Sequence, residues 1–318
     1  MSIESGNRIR NGLSLAVQKT METIGNAVLT SEGKGNEALR NAFTEGTMDA
    51  VKLNKELIHF IYRLLFLFII EERGLVYQIP DSPDAPDYKQ LCEWQDIYKK
   101  FYAASRLRHL SELAYLKQRQ YFDLWQGLMD TFHLFEPDTF GERLGIKPLG
   151  GVLFGIETLH WLKQCQVSNH DVLTAFSALN EFTDERQQRV KINYSSLDVE
   201  EFGSVYEGIL EMRPFVQPGV SAADWQFGFV GGLDRQSTSS YYTRPDLVQN
   251  LIKTTLEPVI KEKISHLSTT EEKVKALLNM KVCDAASGSG HIVLAMARTI
   301  AWYICTLRTG EDNPASLD

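Results

Sequence analysis

The chain has 318 residues, 43% hydrophobic and 23% charged, with a net charge of −8. That balance suits a folded protein long enough for two domains, and it argues against an autonomous nucleic-acid-binding module, which is usually basic. The four cysteines (Cys92, Cys165, Cys283, Cys305) stand far apart with no CxxC pair, so reduced thiols in a cytosolic protein are expected, without structural zinc, and no signal-peptide pattern opens the chain.

Apolar positions at Ile9, Leu13, Val17, Met21, Ile24 and Val28 recur with helical rhythm and predict a helix over 8–28. A loop of small and polar residues follows at 31–36. Residues 49–73 predict the most hydrophobic helix of the chain, closed by Gly74. Its apolar stretch Leu57 to Ile70 is interrupted by His59 and Arg63 and falls short of the roughly 20 residues that cross a bilayer. A buried helix surrounded by others is expected, with Glu71, Glu72 and Arg73 as a surface charge cluster at its end.

A proline-rich loop covers 79–87. Beyond it, Lys99, Lys100, Arg106 and Arg108 are interleaved with Tyr98, Phe101 and Tyr102. Such a pattern can track a phosphate backbone, so these four basic residues are candidate nucleic-acid contacts. The same pattern also describes an amphipathic helix with aromatics inward and cations in water. Residues 121–135 predict a core helix with His133 as a packed core histidine. A turn at 148–154 precedes a helix over 168–182, capped by Ser168 or Asn169. Residues 189–194 alternate as a short strand. Asp198 and Glu201, after Leu197, form a capping-box-like helix start. Glycine and proline crowd 213–240, predicting a linker with room for a hairpin near 225–230 and a domain boundary near 240.

After 240 the charge is balanced, with nine Lys/Arg against nine Asp/Glu in 241–318, so the chain's −8 belongs to the first 240 residues. Thr243 can cap a helix that starts at Pro245 and runs to about Ile264. Ser268 and Glu271 suggest another capped helix. Residues 281–284 then read as a short strand, Asp284 to Gly290 as a glycine-rich turn, and His291 onward as an apolar helix. A glycine turn before a helix start lets a ligand approach bare backbone, and the free N–H groups favour negative charge. A purely structural tight turn accounts for the same residues. Neither GxGxxG nor a phosphate-loop GK[ST] is present.

Two of these segments carry a resemblance. Asp284 to Gly290 resembles the D-P-A-C-G-S-G loop of S-adenosylmethionine-dependent DNA adenine methyltransferases. Tyr241 to Val248 is similar to the Y-Y-T-P-P-x-L-V segment that precedes that loop in the same enzymes. Further elements resemble the same group of large restriction-modification (type IIG-like) and BREX phage-defence methyltransferases: YRLLFLFIIEERGLV at 62–76, Leu149 to Phe154, and Leu197 to Glu211. The resemblance implies a mainly α chain. A helical scaffold domain (1–240) is followed by the first elements (helices, one strand, the glycine loop) of a Rossmann-like α/β methyltransferase domain (241–318).

It also implies that Tyr242, Thr243, Asp284, Ala285, Gly288 and Gly290 hold S-adenosylmethionine, with Asp284 facing its ammonium. The implied partners are double-stranded DNA and the remaining methyltransferase and target-recognition domains, in the cytoplasm and without a membrane. Three positions depart from the pattern. Arg244 replaces the first proline of its segment, Ala285 replaces the loop's proline, and Ser287 replaces its cysteine. Without a fixed proline φ the turn should be looser, whereas serine keeps the size of cysteine. No N-P-P-Y motif, which would hold a flipped adenine, occurs in the sequence; Asn313-Pro314-Ala315 lies too close to the loop and lacks the aromatic. The chain is therefore expected to carry no catalytic residue and to bind the cofactor weakly or not at all by itself. The alternative is a non-catalytic helical interaction or regulatory module of a defence system.

Overall fold

The computed structural model describes residues 3–183, 188–197, 212–230, 245–285 and 290–311, with single positions at 203, 205, 208, 209, 243 and 287. It is mainly helical, with two two-stranded antiparallel sheets among the described residues. The chain separates into two compact units, 1–201 with 208–234 and 235–318 with 202–207.

The first unit is built around α3 (Ala50–Glu72). The Asp49 side chain caps its start by accepting from the Lys52 N–H at 2.8 Å, and Gly74 closes it with φ of 66°. Leu53, Leu57, Phe60, Ile61, Leu64, Leu65, Leu67 and Phe68 are all buried, as the apolar run predicts. The unit's other helices are α1 (Ile3–Thr30), α2 (Lys34–Thr44), α4 (Tyr88–Ile97), α5 (Ala104–Ser111), α6 (Asp123–His133), α7 (His160–Gln164) and α8 (Asn169–Asn180), of which α1, α5 and α7 pack directly on α3. Ser168, rather than Asn169, caps α8 by accepting from the Asp171 N–H. The rings of Phe60 and Phe132, and of Phe68 and Phe176, meet edge to face in this core.

Charges inside α3 organise the loops around it. Arg63 is fully buried. Its guanidinium donates to Glu136 Oε1 at 2.7 Å, to the Leu153 and Gly155 carbonyls at 2.9 and 2.8 Å, and to Thr158 Oγ1 at 2.7 Å. It also sits between the faces of Phe132 and Phe154. Lys163 donates to the same carboxylate, so two cations compensate one anion in a dry site. Of the surface cluster expected at the helix end, Glu72 and Arg73 are exposed and Glu71 departs. Glu71 is half-buried and turned inward: its carboxylate accepts from the Tyr98 hydroxyl (2.6 Å) and from the Ala104 and Ser105 N–H groups (2.9 and 2.7 Å). It thereby supplies the cap that the first turn of α5 lacks. Glu56, one end back, does the same for α7 through the Trp161 and Leu162 N–H groups. Glu72 accepts from the Ser195 N–H, and Arg73 donates to the Ser195 and Leu197 carbonyls, pinning the segment after the second strand.

Two further expectations change. His133 is not a packed core histidine; its side chain is 40% exposed, stacked on Phe140 and bonded to Asp138 at 2.5 Å. The hairpin allowed for near 225–230 is present as an antiparallel pair, and it takes in the expected linker from 213. Its strands, β3 (Arg213–Gln217) and β4 (Gln226–Val230), pair with Phe215 opposite Gly228. The hairpin docks on α1, where the Asn26 side-chain amide both donates to the Phe227 carbonyl and accepts from its N–H, each at 2.9 Å. The smaller sheet pairs β1 (Glu181–Thr183) with β2 (Arg189–Lys191). The capping-box start expected at 198–201 lies outside the described residues.

The second unit holds α9 (Pro245–Leu251), a π-turn at Ile252–Leu256, α10 (Glu257–Ser265), α11 (Thr270–Leu278) and α12 (His291–Thr309). The π-turn interrupts the single helix expected from Pro245. Pro258 lacks the N–H that would reach Thr254, and the extra residue per turn lies just ahead of it. The cap of α11 falls one residue later than expected, with a reciprocal box between Thr269 and Glu272. Residues 281–284 form no strand. A parallel strand exists only through a neighbour's hydrogen bonds, and this unit contains no other strand among the described residues.

Candidate cofactor site

Val248, Ile252, Leu256, Ile260 and Leu277 make the buried core of the second unit, and Val282 and Ile292 pack against it. Val248 sits on the helix that follows the Thr243 segment, while Val282 and Ile292 flank the glycine-rich loop. The described residues that flank the two resembling segments therefore share one apolar core. Thr243 and Asp284 are half-buried, and Ala285 and Ser287 are exposed. Gly290 adopts φ of 81°, a left-handed conformation that favours glycine, and its N–H closes a turn on the Ser287 carbonyl at 2.7 Å. The Leu294 N–H returns to the Gly290 carbonyl at 3.0 Å. The amides of 291–293 thus begin α12 without intrahelical acceptors, as any first turn does.

A side chain at Gly290 would meet no described atom within 4 Å, so the left-handed φ rather than crowding is what favours glycine there. Backbone N–H groups at a helix start suit a ligand carboxylate, and a carboxylate such as that of Asp284 suits an ammonium. Tyr242 and Gly288, the other residues expected to hold the cofactor, lie outside the described residues, as does Arg244. Among the described residues no group of three His, Cys, Asp or Glu is placed to hold a metal ion.

The four candidate nucleic-acid contacts separate. Lys99 and Lys100 lie exposed on a π-turn, Tyr98–Tyr102, with Lys99 donating to Gln95 and Lys100 lying 5.3 Å from the Phe101 ring centroid. Arg106 is half-buried, and burial lowers its pKa against the opposing charge of Asp123. Arg108 is committed to protein partners, with its side chain 11% exposed. It pairs with Glu72, donates to Asn180 Oδ1 and to the Ile192 carbonyl, and its guanidinium covers the Phe68 and Tyr194 rings. It is a clamp between α3, α5 and the small sheet, because its position on α5 turns it inward. Periodicity alone did not separate it from Arg106.

An open polar groove of about 300 Å³ beside this clamp is lined by Glu71, Glu72, His109, Glu112 and Lys191, among others. Lys191 and Glu112 pair across it at 2.8 Å, so its opposite charges already answer one another.

No family model, curated protein or solved structure matches the chain. Among the described residues one helix, α12, with 19 residues and a mean hydropathy of 1.2, is long and apolar enough by composition to cross a membrane. Its residues Ile292, Met296, Ile300, Tyr303, Ile304 and Leu307 pack against the core of its own unit.

Proposed function

We propose that the chain is the amino-terminal part of a cytoplasmic DNA (adenine-N6) methyltransferase of restriction-modification or phage defence, acting on double-stranded DNA. The observation that carries this reading is the common core behind the two resembling segments: Val248 beyond Thr243, and Val282 and Ile292 on either side of the Asp284–Gly290 loop. In this reading Thr243, Asp284, Ala285 and Gly290, with Tyr242 and Gly288, bind the amino-acid end of S-adenosylmethionine. Asp284 offers a carboxylate to the ammonium, and the first turn of α12 offers N–H groups to the carboxylate. When bound, the cofactor would supply the methyl group that the exocyclic amine of a flipped adenine takes up by direct attack. The base-holding N-P-P-Y motif is not in this sequence, so the chain positions a ligand and leaves the base to other residues.

The test is expression of the complete reading frame that encodes this chain in a methylation-free bacterial host, followed by sequencing of N6-methyladenine in host DNA. Site-specific methylation, lost on Asp284→Ala, is the expected result. An unmethylated genome with the soluble full-length product present overturns the reading. The competing reading, a helical interaction module without catalysis, is favoured by the irregular backbone at 281–284, and it predicts that second outcome.

A further inference from the structure

Residues 97–122 hold six Lys/Arg and one acidic residue, Glu112, in a chain whose net charge is −8. The same stretch contains every aromatic side chain found among the large exposed hydrophobics of the described residues: Phe101 (56% exposed), Tyr115 (69%), Tyr121 (54%) and Phe122 (37%). Elsewhere in the described structure the aromatics are at least partly buried, so their appearance here, on the one strongly basic stretch, needs a cause. A solvated cationic face accounts for the lysines but not for four rings in water.

The stretch forms one strip. The π-turn 98–102 packs on α5, and α5 packs on the short 3₁₀ turn Ala114–Leu116 and on α8. The Asn169 and His170 N–H groups donate to the Tyr121 and Gln118 carbonyls (2.7 and 3.1 Å), and Lys117 donates to Ser177 Oγ at 2.9 Å, strapping the remainder along α8. The backbone is therefore held while Phe101, Tyr115, Tyr121, Lys99, Lys100 and Arg119 remain exposed. Lys99, Lys100 and Arg119 keep their charges available: Arg119, 71% exposed, faces Asp171 only at 3.6 Å in solvent.

We propose that this strip is a single-stranded nucleic-acid surface, with bases stacked on Phe101, Tyr115 and Tyr121 and phosphates met by Lys99, Lys100 and Arg119. Exposed rings interleaved with cations suit unpaired bases, since every base has a face to stack and every link carries a negative charge. Charge complementarity selects a polyanion, and the rings select one with planar groups. The proposal rests on the methyltransferase reading only for the source of the strand, DNA opened around a flipped base. The methylation and binding readouts use different residues, so either can fail alone.

The test is fluorescence anisotropy of the complete 318-residue chain with a labelled mixed-sequence strand of about 20 nucleotides, single or duplexed, at about 50 and 200 mM salt. Micromolar binding is expected, tighter for the single strand and weaker at high salt. Lys99→Glu with Lys100→Glu should weaken it about tenfold or more and flatten the salt dependence. Tyr115→Ala with Tyr121→Ala should weaken it by about a hundredfold with the salt dependence kept, since stacking is worth roughly tenfold per base. Lys34→Glu with Lys55→Glu, exposed and outside the strip, should leave binding unchanged. No binding at low salt, equal loss in the Lys34/Lys55 control, or binding of polyglutamate or anionic vesicles with the same affinity would each overturn the proposal. Circular dichroism of every variant separates lost contact from lost fold.

Discussion

Arg63 and Glu136 meet at 2.7 Å with side chains 0% and 1% exposed, and through them α3 holds the loop that carries Leu153 and Gly155. Two charges taken this far from water are tolerated because each is answered several times over, by Lys163 on one side and two carbonyls on the other. Removing one partner leaves an unanswered charge. Glu136→Ala should therefore destabilise the first unit by about 3–5 kcal/mol, read as a fall in the urea midpoint. Replacing Arg63 with Met and Glu136 with Leu together should cost clearly less than Glu136→Ala alone. If the double replacement costs as much as the sum of the single ones, the pair is not coupled.

Glu71 tests the same principle through pH. Burial raises its carboxyl above the ordinary 4.5, against the lowering effect of hydrogen bonds from Tyr98, Ser105 and Ala104. A raised folded-state pKa means that the native protein binds the proton more tightly than the unfolded chain. Its contribution to stability is then fully present below 4.5 and is lost as pH rises above that value. Glu71→Gln cannot titrate, and its amide would set a donor against the Ser105 N–H, a baseline loss of about 1–3 kcal/mol. The stability gap between wild type and Glu71→Gln should narrow as pH rises from about 5 to 8 in urea titrations. A gap that widens with pH would show that the native pocket prefers the ionised form.

The hairpin of the first unit depends on a close approach at Gly25. A Cβ there would lie 2.4 Å from the Phe227 ring, and Phe227 is 1% exposed. Gly25→Ala must push the ring off α1 and strain the two Asn26 bonds beside it, a cost of about 1–3 kcal/mol even though alanine favours the helix. Amide hydrogen exchange should show faster exchange of the Phe227 N–H in the variant, while α8 stays protected. Unchanged exchange at Phe227 would mean that the hairpin does not rest on this contact.

The limits of sequence reading follow from the same residues. Helix starts whose cap is local were legible to within a residue: 49 against Ala50 for α3, Ser168 or Asn169 for the cap of α8, and the start of α11 one residue early. Caps supplied from afar were not, because Glu71 reaches Ala104 across 33 residues and Glu56 reaches Trp161 across 105. A charged triplet at a helix end reads as solvated until its partners are known. The hairpin was legible at its second strand, near 225–230, whereas its first strand at 213–217 reads as linker because Pro214 lies in it and Pro218 follows it, and only the pairing with β4 makes it a strand. The strand at 281–284 failed for the opposite reason: the apolar run is there, but a strand is a property of a pair. At the candidate site the glycine turn and the helix start were visible locally, whereas the shared core behind them is a tertiary fact.

Thiol reactivity reports on both units at once. Burial, with the nearby Glu56 charge, pushes the Cys165 thiol up to about 12, so almost no thiolate exists there at neutral pH. Cys283 is exposed and sits one residue before Asp284 in the candidate loop. Nucleophilic attack needs the thiolate and access. With an aromatic disulfide at pH about 8, Cys283 should react first and Cys165 only on unfolding, a rate difference of more than about a hundredfold. Mass spectrometry of the labelled peptides assigns the order. In the complete gene product S-adenosylmethionine should slow labelling of Cys283 and leave Cys92 unaffected, because a ligand seated on the loop covers the thiol next to Asp284. Cofactor that binds without slowing Cys283 would place the amino-acid end somewhere other than this loop.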